Sequence, residues 1–315
     1  MLIKEESKIP DEPRTVAKAA SNHSAQNSGR GFLPAVIALV LCFGLPLYHL
    51  ALFALKSELD SYILLIPFVS LYLYRLQKQK PVGHSEPARG LAILTAVGGL
   101  AVLAGYWFLE RRGGVPAVED QLALITLSGV LFFLGICCFC LGKEKVRAHA
   151  FPLCFLLFTV PLPLFLRTGI ETFLQHSSAL AADLLFMVSG TTFSREELIF
   201  QLPGIALRVA PECSGIHSSL ILFITSFIAS YLFLRSPWKR AVLIFAVIPL
   251  GIIRNGFRVF TIGELCVHIG PEMINSAIHH RGGPYFFALS LVPFFILLIL
   301  LKRSERKTVP AAQES

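Results

Sequence analysis

The chain has 315 residues, 54% hydrophobic and 15% charged, with a formal net charge of +8 and a mean hydropathy of +0.66. Soluble domains carry roughly 25% charged residues, while several near-uncharged runs here reach about 19–25 residues, enough to cross a hydrocarbon core of roughly 30 Å as helix. The composition argues against a soluble protein; the basic residues cluster in short loops between apolar runs, as the positive-inside rule expects, which argues against a nucleic-acid surface.

Residues 1–30 are polar, mixed in charge and without an apolar core. They read as a disordered cytoplasmic tail and not as a cleaved signal. Apolar runs then predict spans over 31–55, 62–74, 91–109, 121–141 and 150–166. Cys137, Cys138, Cys140 and Cys154 fall inside these runs and read as small buried hydrophobes. Seven scattered cysteines make no disulfide framework, and the Cys137–Cys140 spacing has no second pair, so no metal and no cofactor are expected.

Four basic loops, 75–80, 143–147, 235–240 and 302–307, fix the orientation if all are cytoplasmic. The fifth span then ends outside near Arg167, and the apolar run 216–234 starts outside and ends at 235–240. Everything from Arg167 to Ser214 therefore begins and ends on the outer side. Residues 168–190 are helical in composition but hold Glu171, Gln175, His176 and Asp183. A helix lying in the outer interface, or re-entering from it, keeps the count consistent. Residues 191–210 alternate and contain Pro203-Gly204, which predicts a hairpin with strands at 193–200 and 205–210. Further spans follow from 241 onward and over 285–301, separated by an outer loop at 267–284. The fold expected is an all-α polytopic membrane protein with about eight transmembrane helices, an outer interfacial helix and a short β-hairpin. Its parts are the tail 1–30, N-terminal helices over 31–149, a catalytic membrane domain over 150–301 and a cytoplasmic tail over 302–315.

Chemistry concentrates in the second half. Cys213 stands in APECSGIHSS, where the hairpin would deliver it to the membrane surface at the start of a span. Arg254 and Arg258 lie four residues apart in an apolar run and share one helix face. Intramembrane arginines usually face a bundle interior or a wet cavity; the bland alternative is a pair that snorkels to the interface. His279 and His280 precede the last span, and a pair of wet loop histidines is the bland reading for them. A thiol, a cation and an imidazole would meet on one membrane side. Together they supply a nucleophile, an anion stabiliser and an acid–base group. Two other readings stay open: a transporter whose arginines line an anion path, and an intramembrane hydrolase that uses water as acceptor.

These strings, in this order, resemble the exosortase/archaeosortase family of membrane transpeptidases over roughly residues 150–300. The resemblance rests on VPLPLFL at 160–166, LQHSSALAADLLFMVSG at 174–190, the ECSG segment, RNGFRV at 254–259 and HHRGGPYFF at 279–287. It implies Cys213 as nucleophile, Arg258 as the essential arginine because Asn255-x-x-Arg258 fits N-x-x-R, and His279 as the third member because Gly-Gly begins three residues later. Arg254, Asn255 and His280 take supporting places. The resemblance also implies a sortase-like cysteine peptidase of the cytoplasmic (inner) membrane, multi-pass, with its site facing the extracytoplasmic side. Its partners would be secreted proteins with a C-terminal PEP-CTERM-like sorting tail, together with the lipid bilayer, and no nucleic acid. That tail is a short motif, a transmembrane helix and a basic cluster.

Overall fold

The computed structural model describes residues 31–77, 86–114, 117–211, 214–276 and 282–307. The tail read over 1–30 and residues 308–315 of the tail read over 302–315 lie outside the described residues, as do Cys213, His279 and His280; residues 302–307 continue the last helix. The chain divides into two compact units, Met1–Leu164 and Phe165–Ser315.

In the first unit, α1 (Gly31–Cys42) and α2 (Gly44–Lys56) form a pair bent by 66°. Pro46 lies in the first turn of α2 and has no amide to donate to the carbonyl four residues back, which accounts for a break here. A 3₁₀ turn, Ser61–Leu64, leads into α3 (Ile66–Leu76). At 11 residues α3 is about 16 Å long, too short to cross alone, so the span expected over 62–74 is a short apolar helix.

Next come α4 (Arg89–Arg111) and α5 (Val118–Leu141), which form an antiparallel hairpin. Small residues let these backbones close up. Ser128 Oγ donates to the Gly99 carbonyl at 2.9 Å, and a Cβ on Gly135 would stand 3.0 Å from Thr95 Oγ1. The unit continues with α6 (Lys143–Ala148), α7 (Ala150–Phe155) and a 3₁₀ turn, Leu156–Thr159. The span expected over 150–166 stops at Thr159, because Pro161 and Pro163 interrupt the helical ladder.

The second unit opens with α8 (Leu164–Ser189). Leu174, Gln175, Ser178, Ala179, Ala182 and Phe186 form its buried stripe, while Phe173, Leu180, Leu184 and Met187 are exposed on its other side. A helix with an apolar outer face and a buried stripe suits contact with lipid on one side and protein on the other. Three strands follow, β1 (Ser194–Glu196), β2 (Ile199–Leu202) and β3 (Ile205–Arg208), in the order β1-β2-β3. The expected two-strand hairpin is thus a three-stranded antiparallel meander. Its second turn does lie at Pro203-Gly204, with Gly204 at φ +84°, but the first falls at Glu197-Leu198 inside the segment read as one strand.

Then come α9 (Ile216–Phe233), α10 (Pro237–His268), a 3₁₀ turn at Pro271–Asn275, and α11 (Gly283–Lys307). Helix α10 is the common wall of two apolar clusters. Toward its C-terminal end, Val259, Ile262 and Cys266 pack with Ala179, Ala182 and Phe186 of α8 and with Phe200, Leu202, Leu207 and Val209 of the sheet. Toward its N-terminal end, Leu243 and Val247 pack with Leu222 of α9 and Phe294 of α11. Among the described residues five helices, α4, α5, α9, α10 and α11, are long and apolar enough to cross a membrane. The count rises to seven if α1–α2 and the pair Ala150–Thr159 with α8 are each one bent span. About eight are expected from sequence, and the shortfall is at α3.

Candidate active site

The sheet anchors the chain that leads up to residue 211. Val209, just past β3, donates its amide to the Leu198 carbonyl at 2.9 Å. Its own carbonyl accepts a hydrogen bond from Gln175 Nε2 of α8. Gln175 is 8% exposed, so this amide is a buried tie between the helix and the exit of the sheet. On either side of residues 212–213, the Ser214 amide donates to the Pro211 carbonyl at 2.9 Å. Ser214 is buried.

Gly215 then caps α9 in the left-handed region, φ +71°. Only glycine adopts this conformation without steric cost. A side chain has no room there either: a Cβ would lie 3.0 Å from Arg254 Nη2 and 3.0 Å from Asn255 Oδ1. The glycine of ECSG is therefore where α9 meets the Arg-Asn pair of α10.

Arg254 is 7% exposed and Asn255 2%. Arg254 Nη2 donates to the Gly215 carbonyl at 3.2 Å and to Ser219 Oγ at 3.1 Å. This excludes the snorkelling alternative for Arg254: its guanidinium turns inward to the first turn of α9 and not along the helix to an interface. Among the described residues no carboxylate pairs with it, and its Nη1 is buried with no hydrogen-bond partner among them. Its partners among the described residues are thus a carbonyl and a hydroxyl, neutral groups that solvate a buried cation without cancelling its charge. Arg258, one turn on, is half-buried on the same helix.

Three glycines let α10 come this close. A Cβ on Gly251 would stand 2.9 Å from Ser219 Oγ of α9. One on Gly256 would stand 2.5 Å from the Ala181 Cβ and 3.1 Å from the Ser178 carbonyl of α8. One on Gly263 would stand 2.5 Å from Phe186. So α10 touches α9 and α8 through glycines before, within and after the 254–258 stretch. Sequence reading missed Gly251, Gly256, Gly263 and the tie made by Gln175. The glycines share a helix with the arginines, but their partners in α8 lie some 75 residues away in the chain.

The histidine segment lies outside the described residues, but its approaches are anchored. Before it, Met273 and Ile274 pack on the cluster shared by α8, the sheet and α10. After it, Phe286 of α11 meets Phe257 of α10, ring centroids 6.2 Å apart. Among the described residues no group of three or more His, Cys, Asp or Glu could hold a metal ion.

Compared with known families, residues 54–296 match the transmembrane exosortase family (Exosortase_EpsH). No curated protein and no solved structure matches the chain. The family match reaches back from the segment around Arg254 through α3, α4 and α5, well beyond the 150–300 stretch that carries the resemblance in sequence. A match over most of its length makes this chain a member of the transmembrane exosortase family.

Proposed function

We propose that this protein is a cysteine transpeptidase that cleaves the C-terminal sorting signal of exported proteins and transfers them to an acceptor. In this reading Cys213 is the nucleophile. Its thiolate attacks the scissile carbonyl; the S–C bond forms and the carbonyl electrons move onto oxygen. Arg258 stabilises that oxyanion with its fixed charge. Collapse breaks the C–N bond, and His279 gives a proton to the leaving amine. The amine of an acceptor then attacks the acyl-thioester, His279 takes its proton, and the thiolate leaves. Arg254, Asn255 and His280 support the site. The domain over 150–301 does this work in the cytoplasmic (inner) membrane, with the site facing outward and α8 lying in or re-entering the outer interface. The signal cleaved is a PEP-CTERM-like tail: a short motif, a transmembrane helix and a basic cluster.

The observation that carries the reading is the contact of buried Arg254 and Asn255 with Gly215, two residues past Cys213. It supports a cationic surrounding for the thiol, and a nearby cation lowers a thiol's pKa toward the reactive thiolate. An exported reporter ending in such a tail, expressed with the wild-type protein or with Cys213→Ala, tests it. The wild type is expected to yield a shortened product carrying an added group by mass spectrometry, and Cys213→Ala none. Normal processing by Cys213→Ala would remove the nucleophile from the scheme. A product with a free carboxylate would make the reaction hydrolysis.

A further inference from the structure

We propose that the free edge of β3 is the docking strand for the sorting signal, which adds to it as a fourth, extended strand. The inference rests on the peptidase reading above and adds the recognition mode. In the order β1-β2-β3, β3 has a neighbour on one side only. Its register, Leu202↔Ile205, Phe200↔Leu207 and Ile199↔Arg208, continues to Leu198 and Val209, where Val209 donates to the Leu198 carbonyl. Hydrogen-bonded and non-bonded pairs alternate along an antiparallel ladder. The Val209 amide and the backbone groups of Leu207 therefore turn toward β2, while Ala206 and Arg208 turn theirs to the open edge.

Both of these residues are exposed, in contrast to buried Leu207 between them. Among the described residues the amides and carbonyls of Ala206 and Arg208 have no hydrogen-bond partner across that edge. An edge like this is a template for an extended peptide. Main-chain bonds supply affinity and alternate side chains supply selection.

Two further features favour a substrate segment over another occupant. The edge leads into the nucleophile: Cys213 is five residues past Arg208, at most about 17 Å of chain. A peptide paired at 206 and 208 would thus hold its next few residues within reach of the thiol. The sheet is also rigid beneath the edge, because Phe200 and Leu207 sit in the cluster with α8 and α10, and Gln175 fixes Val209. A docking strand on a packed base places a peptide more accurately than a loop does.

The test uses the full chain in membrane vesicles and a reporter ending in motif, apolar helix and basic cluster. Ala206→Pro removes an edge donor but no bond to β2, and proline is tolerated on edge strands. The expected result is a roughly three- to tenfold rise in KM, the worth of about one hydrogen bond, with kcat within about twofold. Unchanged KM, with Cys213 still alkylated at the wild-type rate, overturns the proposal. A second measurement covers misfolding of the proline variant. In a Cys213→Ala background, Ala206→Cys is paired with single cysteines moved through the reporter's motif. Disulfides at alternate positions support strand pairing; disulfides at consecutive positions, or none, overturn it. If Cys213→Ala alone processes the reporter, the peptidase reading fails, and the docking strand falls with it.

Discussion

The hairpin of α4 and α5 and the pair of α8 and α10 use the same packing device for different ends. In the first, Gly99 and Gly135 bring α4 and α5 together around Ser128 and Thr95, and what is buried between them is a hydroxyl on a carbonyl. In the second, Gly256 and Gly263 bring α10 onto α8, and Gly251 brings it onto α9. There the same helix also buries an arginine and an asparagine against Gly215. Small residues give close approach in both units. Among the described residues only the second unit uses that closeness to hold a buried cation, and this is where the chemistry is proposed.

Five measurements test whether the two units differ in this way. The largest effect is expected from Cys213→Ala, with reporter processing down at least about a thousandfold, as for loss of a nucleophile that works as part of a unit. Replacing Cys137 and Cys138 of α5 should leave processing near wild type; a need for either would put chemistry in the first unit. Next are the arginines. Arg258→Lys and Arg258→Ala should both lose about 10²–10³ in rate, the worth of an oxyanion donor, because a compact ammonium does not reproduce the planar fork. Arg254→Lys should keep more activity, since a single nitrogen, Nη2, serves both acceptors. The reverse ranking in a processing assay would exchange the two assignments.

Gly256→Ala comes third. Its Cβ would collide with the Ala181 Cβ at 2.5 Å and crowd the α8 backbone at 3.1 Å, so a loss of about 1–3 kcal/mol in unfolding free energy is expected, the usual range for overpacking. Retained thermal stability in detergent would mean that α8 and α10 part easily. Gln175→Ala is fourth. It strands the Val209 carbonyl at a cost of about 1 kcal/mol, and KM and kcat should both shift several-fold as the Cys213 segment loosens. No change in processing would show that the ladder bond from Val209 is sufficient. Smallest is Gly105→Ala in α4, where a Cβ meets nothing within 4 Å. Helix propensity alone predicts a gain of about 0.5–1 kcal/mol, and a loss would reveal a contact made by that face.

Features carried by neighbouring residues were legible in the sequence. Pro203-Gly204 marked its turn because the dipeptide fixes the backbone by itself, and the runs over α4, α5, α9, α10 and α11 declared themselves by length and apolarity. The turn at Glu197-Leu198 was hidden, since Glu197 adopts φ +51° with no glycine or asparagine to announce it. The apolar runs at 62–74 and 150–166 form shorter helices than expected, for a related reason. Apolarity was present, but the short reach of α3 and the prolines at 161 and 163 decide whether it forms one helix. At the site, the residue types near 213 and 254–258 were readable. The inward turn of Arg254 was not, because its partners Gly215 and Ser219 stand 39 and 35 positions earlier.

The shared wall made by α10 also sets a timetable for biosynthesis. The sheet and α8 are made early in the second unit, yet one side of their cluster consists of Val259, Ile262 and Cys266, which follow α9 and most of α10. A nascent chain that has reached only α9 carries the thiol segment without its base. Contacts between distant segments form only once both are present, and domains complete as their later elements emerge. On the proposed reading, the Cys213 segment is thus made ahead of the surroundings that would make its thiol reactive, and activity waits on the arrival of α10.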